Sequence, residues 1–287
     1  MFDCLIVCRE PSKARFEFGN QYIANFTNKT IDRFATLNKI INKTVCEIGN
    51  KVGAFGVWEG ERVLKEVVSE LYMKIGVYGG SFDPVTWGHL WVARMVLERG
   101  GMDEVWFMPS YRSLYKDLSD TEDRLEMLRL AISESGLDKE KVKLERFNVD
   151  NKIVQTSDYF IKRFEETFND GNEYYFIIGM DNALAINTWI LYPKVLDLLK
   201  FIVIERVGYE CENCEEQWFC KEPHIFVRNT LKERISSGLF KELYRKGEDV
   251  SRIIPDSVLN YIKNNNLMGI AFSAIQYKKN VDNNKND

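Results

Sequence analysis

The chain has 287 residues, 39 Lys and Arg against 43 Asp and Glu, a formal net charge of −4 and 45% apolar residues. That length suits one large domain, or a medium domain with a small one, and the balance is that of an ordinary globular protein. The mild negative charge excludes a broad basic surface for nucleic acid, and no apolar run approaches the roughly 20 residues a membrane helix needs.

At the N-terminus, "MFDCLIVCREPSK" carries Asp3 and lacks a basic leader, so it reads as a strand and not a signal peptide. Apolar spacing at Ile31, Phe34, Leu37 and Ile41 predicts a helix, and "GERVLKEVVSELY" predicts another. Residues 1–72 are expected to form a small additional α/β module, or a layer added to the main sheet, of unassigned role. From Met73 the pattern alternates. "KIGVYGG", "EVWFMPS", "KVKLERF", "YYFIIGMDN" and "FIVIER" read as strands. Between them, Gly88 to Leu97, "TEDRLEMLRLAISESG" with Thr121 as N-cap, and "TSDYFIKRFEETF" read as helices. "DVSRIIPDSVLNYIKNNNL" is helical again, with Pro255 near the first helical position. Such alternation predicts an α/β fold, a doubly wound parallel sheet with a helical C-terminal part, over residues 73–278. The polar tail 279–287 is expected to be disordered.

The first strand ends in Gly79-Gly80, which lets the backbone approach a ligand without a Cβ in the way. A helix then begins near Gly88 and His89, where unpaired N–H groups and the positive dipole end face the same space. Phosphate is the natural occupant. His89, one of only two histidines, can donate from Nε2 to a phosphate oxygen, and Thr86 can add a hydroxyl. No G-K-[ST] follows, so this is not a P-loop, and the dinucleotide fingerprint is also missing.

"GGSFDPVTWGHL" is similar to the nucleotidylyltransferase signature G-[ST]-F-[DN]-P-[IV]-[HT]-x-G-H. More narrowly, the chain resembles the bacterial-type nicotinate or nicotinamide mononucleotide adenylyltransferases from Lys74 to about Leu267. Further blocks carry this in order: "VWFMPSYRSLYKDLSDTEDRLEMLRLAI", "VQTSDYF", "FIIGMDNALAINTW", "IVIERVGY" and "ISSGLFKELYRKGEDVSRIIPDSVLNYI". Four positions depart from the pattern. Tyr115 stands for histidine, Gln155 for tyrosine, Gly238 for threonine and Lys241 for arginine.

The resemblance implies a Rossmann-like fold and adenylyl transfer from ATP to a pyridine mononucleotide in NAD biosynthesis, with Mg²⁺ on the phosphate oxygens and a cytoplasmic location. It implies that His89, Thr86 and Lys241 serve the reacting phosphates. Gly79, Gly80, Ser81, Phe82, Gly88, Ser236 and Ser237 would hold the ATP phosphates. Gly179 and Asp181 would lie near the adenosine ribose. Lys116 would neutralise the mononucleotide phosphate, Trp189 would stack on the pyridine ring, Thr156 would lie beside its substituent, and Arg206 completes the substrate set. Partners are then small molecules, with no nucleic acid and no membrane; self-association stays open. The alternatives are another nucleotidylyltransferase, such as a pantetheine-phosphate adenylyltransferase type, and a catalytically weakened nucleotide sensor.

Six cysteines in a chain this long do not make a disulfide scaffold, and reduced thiols are expected. Three sequons, at Asn25, Asn28 and Asn42, would matter only in a secreted protein. Cys211, Cys214, Cys220 and His224 are spaced C-x2-C-x5-C-x3-H, a ligand set that can close a tetrahedral zinc site. Against zinc, Trp218 and Phe219 can pack the same segment down; a structural role fits it better than a catalytic one.

Overall fold

The computed structural model describes residues 72–113, 117–154, 156–209, 214–229, 233 and 235–269, together with the backbone of two short strands near the N-terminus. The chain divides into two compact units, Met1–Met73 and Lys74–Asp287. In the first, β1 (Ile6–Val7) pairs antiparallel with β2 (Arg15–Phe16). The two helices expected in residues 1–72 and the tail 279–287 lie outside the described residues.

The second unit is built on six parallel strands: β3 (Lys74–Gly80), β4 (Glu104–Pro109), β5 (Val142–Leu144), β6 (Glu173–Gly179), β7 (Lys200–Ile204) and β8 (Ile225–Val227). Their spatial order is β5-β4-β3-β6-β7-β8. The chain starts at the centre, winds outward to β5, returns to β6 and winds the other way. The winding therefore reverses between β3 and β6, and in open sheets of this kind ligands bind outside the carboxyl ends of the strands at that reversal.

Strand side chains alternate between faces. Val105, Phe107, Tyr175, Ile177, Ile202 and Ile204 are buried on one face. There they meet α1 (Trp87–Arg99) and α2 (Thr121–Glu134), then α7 (Ser237–Lys246) and α8 (Asp256–Asn264) further along the chain. On the other face, Trp106 and Phe176 meet an aromatic group from α3 (Phe147–Asp150) and α4 (Asp158–Thr167). Two short helices, α5 (Met180–Leu184) and α6 (Val195–Leu198), connect β6 to β7. The sheet is doubly wound, as the strand-helix alternation predicts.

Local chemistry sets the helix ends. The Ser157 hydroxyl accepts from Phe160 N at 3.3 Å and caps α4, and the Ser236 hydroxyl accepts from Leu239 N at 3.2 Å and caps α7. Gly247 closes α7 at φ 72°, a left-handed value that suits glycine. Two boundaries differ from expectation. Asp120, not Thr121, is the N-cap of α2, and the Thr121 hydroxyl donates to Tyr111 O instead. Pro255 is the N-cap of α8, and residues 251–254 form turns rather than helix. The Glu134 carboxylate accepts from the N–H groups of Asp256 and Ser257 and fixes that start.

Candidate active site

The loop leaving β3 shows two uses of glycine. A Cβ on Gly79 would meet nothing within 4 Å, so open space lies directly beside this backbone. A Cβ on Gly80 would stand 2.9 Å from the Phe82 ring, so Gly80 makes room for that ring. Phe82 takes φ 48°, a left-handed value uncommon for a bulky residue, and its side chain is 2% exposed. The ring meets Tyr78, Phe107 and His89 edge-on. Phe82 is thus buried support under His89, and its ring does not line the open space.

Thr86 is the N-cap of α1 and His89 is its third helical residue. The Thr86 N–H donates to His89 Nδ1 at 3.0 Å, and the Thr86 hydroxyl lies 2.8 Å from the same nitrogen. A backbone N–H can only donate, so Nδ1 is an acceptor and the neutral ring carries its proton on Nε2. Burial of the ring, reinforced by the nearby Arg206 cation, pushes its pKa down to about 4. Near neutral pH His89 is an uncharged Nε2–H donor. Thr86 is fully buried. Its hydroxyl is turned onto His89 and not toward the mouth of the site, which corrects the direct phosphate contact expected of it.

Gly88 holds two helix starts together. A Cβ there would meet Ile235 O at 2.7 Å, so α1 and the residues entering α7 approach closely only because Gly88 has no side chain. The Ser237 hydroxyl adds a bond to Pro84 O at 2.8 Å. With Ser236 capping α7 through Leu239 N, both serine hydroxyls are engaged within the protein, and the N–H groups of Ser237 and Gly238 are the first-turn donors not used by that cap. Two positive helix ends therefore converge on one mouth. Lys241 lies one turn along α7, and its Nζ is 2.6 Å from Asp83 Oδ2 in a pair whose carboxylate side chain is 3% exposed. Asp83 Oδ1 is buried without a hydrogen-bond partner.

Across the reversal, β6 ends at Gly179, the N-cap of α5. Its missing Cβ would stand 2.5 Å from Asp181 Oδ1, so the carboxylate occupies the space a side chain would fill. Arg206 Nη1 donates to Asp181 Oδ2 at 2.6 Å, and Oδ1 is another buried acceptor without a partner. Trp189 is half-buried and meets Phe201 edge-on, 6.1 Å between ring centroids. Thr156 is half-buried just before α4. The structure thus gathers His89, Gly79, Ser81, Asp83, Lys241, Asp181 and Arg206 around the carboxyl ends of β3 and β6, either directly or through their mutual contacts. Lys116 lies outside the described residues.

One residue escaped the sequence reading. Arg124 on α2 is 1% exposed, yet it is a full cation by type. It stands on the apolar stripe Arg124, Leu128, Ala131, and that position is the signal that marks it.

Of the proposed zinc set, Cys211 and the Cys214 side chain lie outside the described residues. His224 Nδ1 accepts from Phe201 N at 3.2 Å, and its ring meets Trp218 edge-on, so part of that segment packs as an aromatic cover over β7. Cys220 is half-buried and not in a disulfide.

Residues 77–243 match the cytidylyltransferase-like family. The nicotinate-nucleotide adenylyltransferase of Bacillus subtilis is 33% identical over 198 residues, which covers 68% of this chain and 97% of that protein. The nicotinic acid mononucleotide adenylyltransferase of Plasmodium falciparum, solved in complex with NaAD, superposes with a TM-score of 0.59 at 25% identity, covering 69% of this chain and 98% of that one.

Proposed function

The chain belongs to the nicotinate-nucleotide adenylyltransferases within the cytidylyltransferase-like family, and from that premise we propose that it joins ATP to nicotinate mononucleotide through the residues gathered at the β3–β6 reversal. It is a nucleotidyltransferase of NAD biosynthesis. A 5′-phosphate oxygen of the mononucleotide forms a bond to the α-phosphorus of ATP, the bond from that phosphorus to the bridging oxygen of the β-phosphate breaks, and pyrophosphate leaves. The attacking phosphate is already an anion near pH 7, so no general base is needed. The protein's task is positioning and charge stabilisation.

The state of His89 carries this reading. Its uncharged ring, fixed by Thr86 with the proton on Nε2, is a preset donor at the start of α1, and open space lies beside the Gly79 backbone. Such a donor strengthens its bond as charge builds on a phosphate oxygen and needs no reorganisation to do so. Thr86 acts by holding the ring. The α7 N–H groups and Lys241 take the outer phosphates, with Lys241 shared between them and Asp83. Asp181 Oδ1, a buried acceptor awaiting a donor, suits a ribose hydroxyl. Trp189 and Thr156 serve the pyridine ring, and Lys116 the acceptor phosphate. Magnesium enters with the ATP substrate, on phosphate oxygens.

The test is direct. Purified protein with ATP and Mg²⁺ is given nicotinate mononucleotide in one tube and nicotinamide mononucleotide in another, and dinucleotide is separated by chromatography. Faster product in the nicotinate tube is expected. Folded protein that binds ATP but makes product in neither tube would sink the reading in favour of the nucleotide sensor.

A further inference from the structure

Arg124 makes a bond with each of its five N–H donors. Nε donates to Ser119 O at 3.1 Å, Nη1 to Ser81 O at 3.0 Å and Ser110 O at 2.8 Å, and Nη2 to Tyr111 O at 2.9 Å and Thr121 Oγ1 at 3.2 Å. Four of the five acceptors are main-chain carbonyls in two separate loops. Ser81 lies in the loop after β3, where the ATP phosphates are proposed to sit. Ser110, Tyr111 and Ser119 lie in the loop after β4, which carries Lys116 and is proposed to receive the acceptor phosphate. This second loop also lines a cleft of about 520 Å³ that includes Tyr111, Ser119, Thr121 and Arg124 itself.

The parallel ladder pairs β3 with β4 up to Gly80 and Pro109, and one more main-chain bond follows, from Ser110 N to Gly80 O at 2.8 Å. Beyond that point the guanidinium bonds directly to both loops. A planar fork with five donors can hold this many carbonyls at fixed spacing; an ammonium, with three donors on a point, cannot.

We infer that Arg124 is a positioning residue that couples the two substrate loops, setting the distance and alignment between the acceptor phosphate and the α-phosphorus of ATP. This rests on the adenylyl-transfer reading above. Each loop binds its own substrate, so loosening the clamp leaves each binding event largely intact and disturbs the alignment needed when both are present. Rate is sensitive to misplacement on the ångström scale.

The experiment compares wild type with Arg124→Lys, Arg124→Ala and Thr121→Val. Calorimetry gives Kd for ATP alone and for nicotinate mononucleotide alone, turnover is read as dinucleotide, and melting reports the fold. For Arg124→Lys, kcat is expected to fall roughly tenfold or more while each Kd moves less than about threefold. Added guanidinium is expected to restore part of the rate of Arg124→Ala. Thr121→Val, which removes one of the five partners without touching the charge, is expected to show the same split at smaller size, and it carries the test if the arginine variants do not fold. An Arg124→Lys rate close to wild type overturns the inference. So does a rate loss matched by equal losses in both affinities, which a purely structural arginine would give. If the wild type itself forms no dinucleotide, the functional reading fails and the coupling falls with it; if the wild type is active and the variants match it, the coupling alone fails.

Discussion

At the scale of single residues, the chemistry turns on what holds His89 and Lys241. Thr86 makes Nδ1 an acceptor, and burial with Arg206 keeps the ring neutral. The folded pKa, about 4, is below the ordinary value of 6.5, so between those two pH values the unfolded chain takes up a proton that the folded one does not. This group's contribution to stability therefore falls as pH drops through that window. Only two histidines are present, so ring NMR of ligand-free protein can follow each, with His89→Asn as the assignment control. The His89 signal is expected to stay unprotonated from pH 8 to about 5.5 and to show the Nε2–H form; an inflection near 6.5 would contradict the buried donor. Removing the ring in His89→Ala should lower turnover about a hundredfold, roughly 3 kcal/mol of transition-state stabilisation, read as dinucleotide formed per second. Lys241 raises a different question, because in the proposed reading one ammonium serves both Asp83 and the ATP phosphates. Lys241→Arg gives a fork that can keep Asp83 while reaching a phosphate oxygen, so KM for ATP is expected to fall roughly fivefold, from about 1 kcal/mol of added charged hydrogen bonding. An unchanged KM would mean that Asp83 does not compete. The sequence singled out His89 by its place after a glycine at a helix start, and Lys241 through the family resemblance. Arg124 was marked only by its place on an apolar stripe, and its contacts with carbonyls of two loops could not be read from that pattern.

At the scale of elements, the site is made by two helix starts that only Gly88 allows to approach. Gly88→Ala would press a methyl group against Ile235 O, 2.7 Å from the ideal Cβ, and backbone has little room to retreat. The expected outcome is a loss of about 1–3 kcal/mol in urea unfolding, together with weaker ATP binding by calorimetry as α7 moves away from α1. Weakened stability with unaltered ATP affinity would show that the two helix ends need not converge. The sequence reading placed Gly88 beside the phosphate, since a glycine before a helix looks the same whether a ligand or another chain segment comes close. The structure supplies the difference, because only tertiary packing brings Ile235 to that point. Strands β3 to β7 and helices α1, α2, α4 and α8 followed from apolar runs and periodicity, whereas α3 and α5 did not enter that reading. The starts of α2 and α8 slipped by a residue or more, since Asp120 and Pro255 compete with Thr121 and the preceding turn as caps. Those choices are settled by what the first N–H groups meet, such as the Glu134 carboxylate at α8.

At the scale of the whole molecule, the sheet order explains why residues distant in sequence lie together. His89 follows β3, Asp181 follows β6, Arg206 follows β7 and Lys241 lies on α7. Because β3, β6 and β7 run parallel, their carboxyl ends share one rim, and the winding reversal between β3 and β6 opens a crevice there. All of the gathered residues fall within Lys74–Asp287, the second compact unit, and the family match spans residues 77–243 inside it. Buried residues from Ile75 to Ile262 form the core of that unit. A domain with its own core and its own site is expected to fold and work by itself. A chain starting at residue 73 is therefore expected to make dinucleotide at a rate within about threefold of the full chain and to melt in a single cooperative transition. Kinetics and calorimetry on the two proteins side by side decide it. A truncated protein that folds but has lost turnover would assign part of the catalytic apparatus to residues 1–72. One that retains kcat but shows altered KM for a single substrate would instead make those residues a modulator of that substrate's loop.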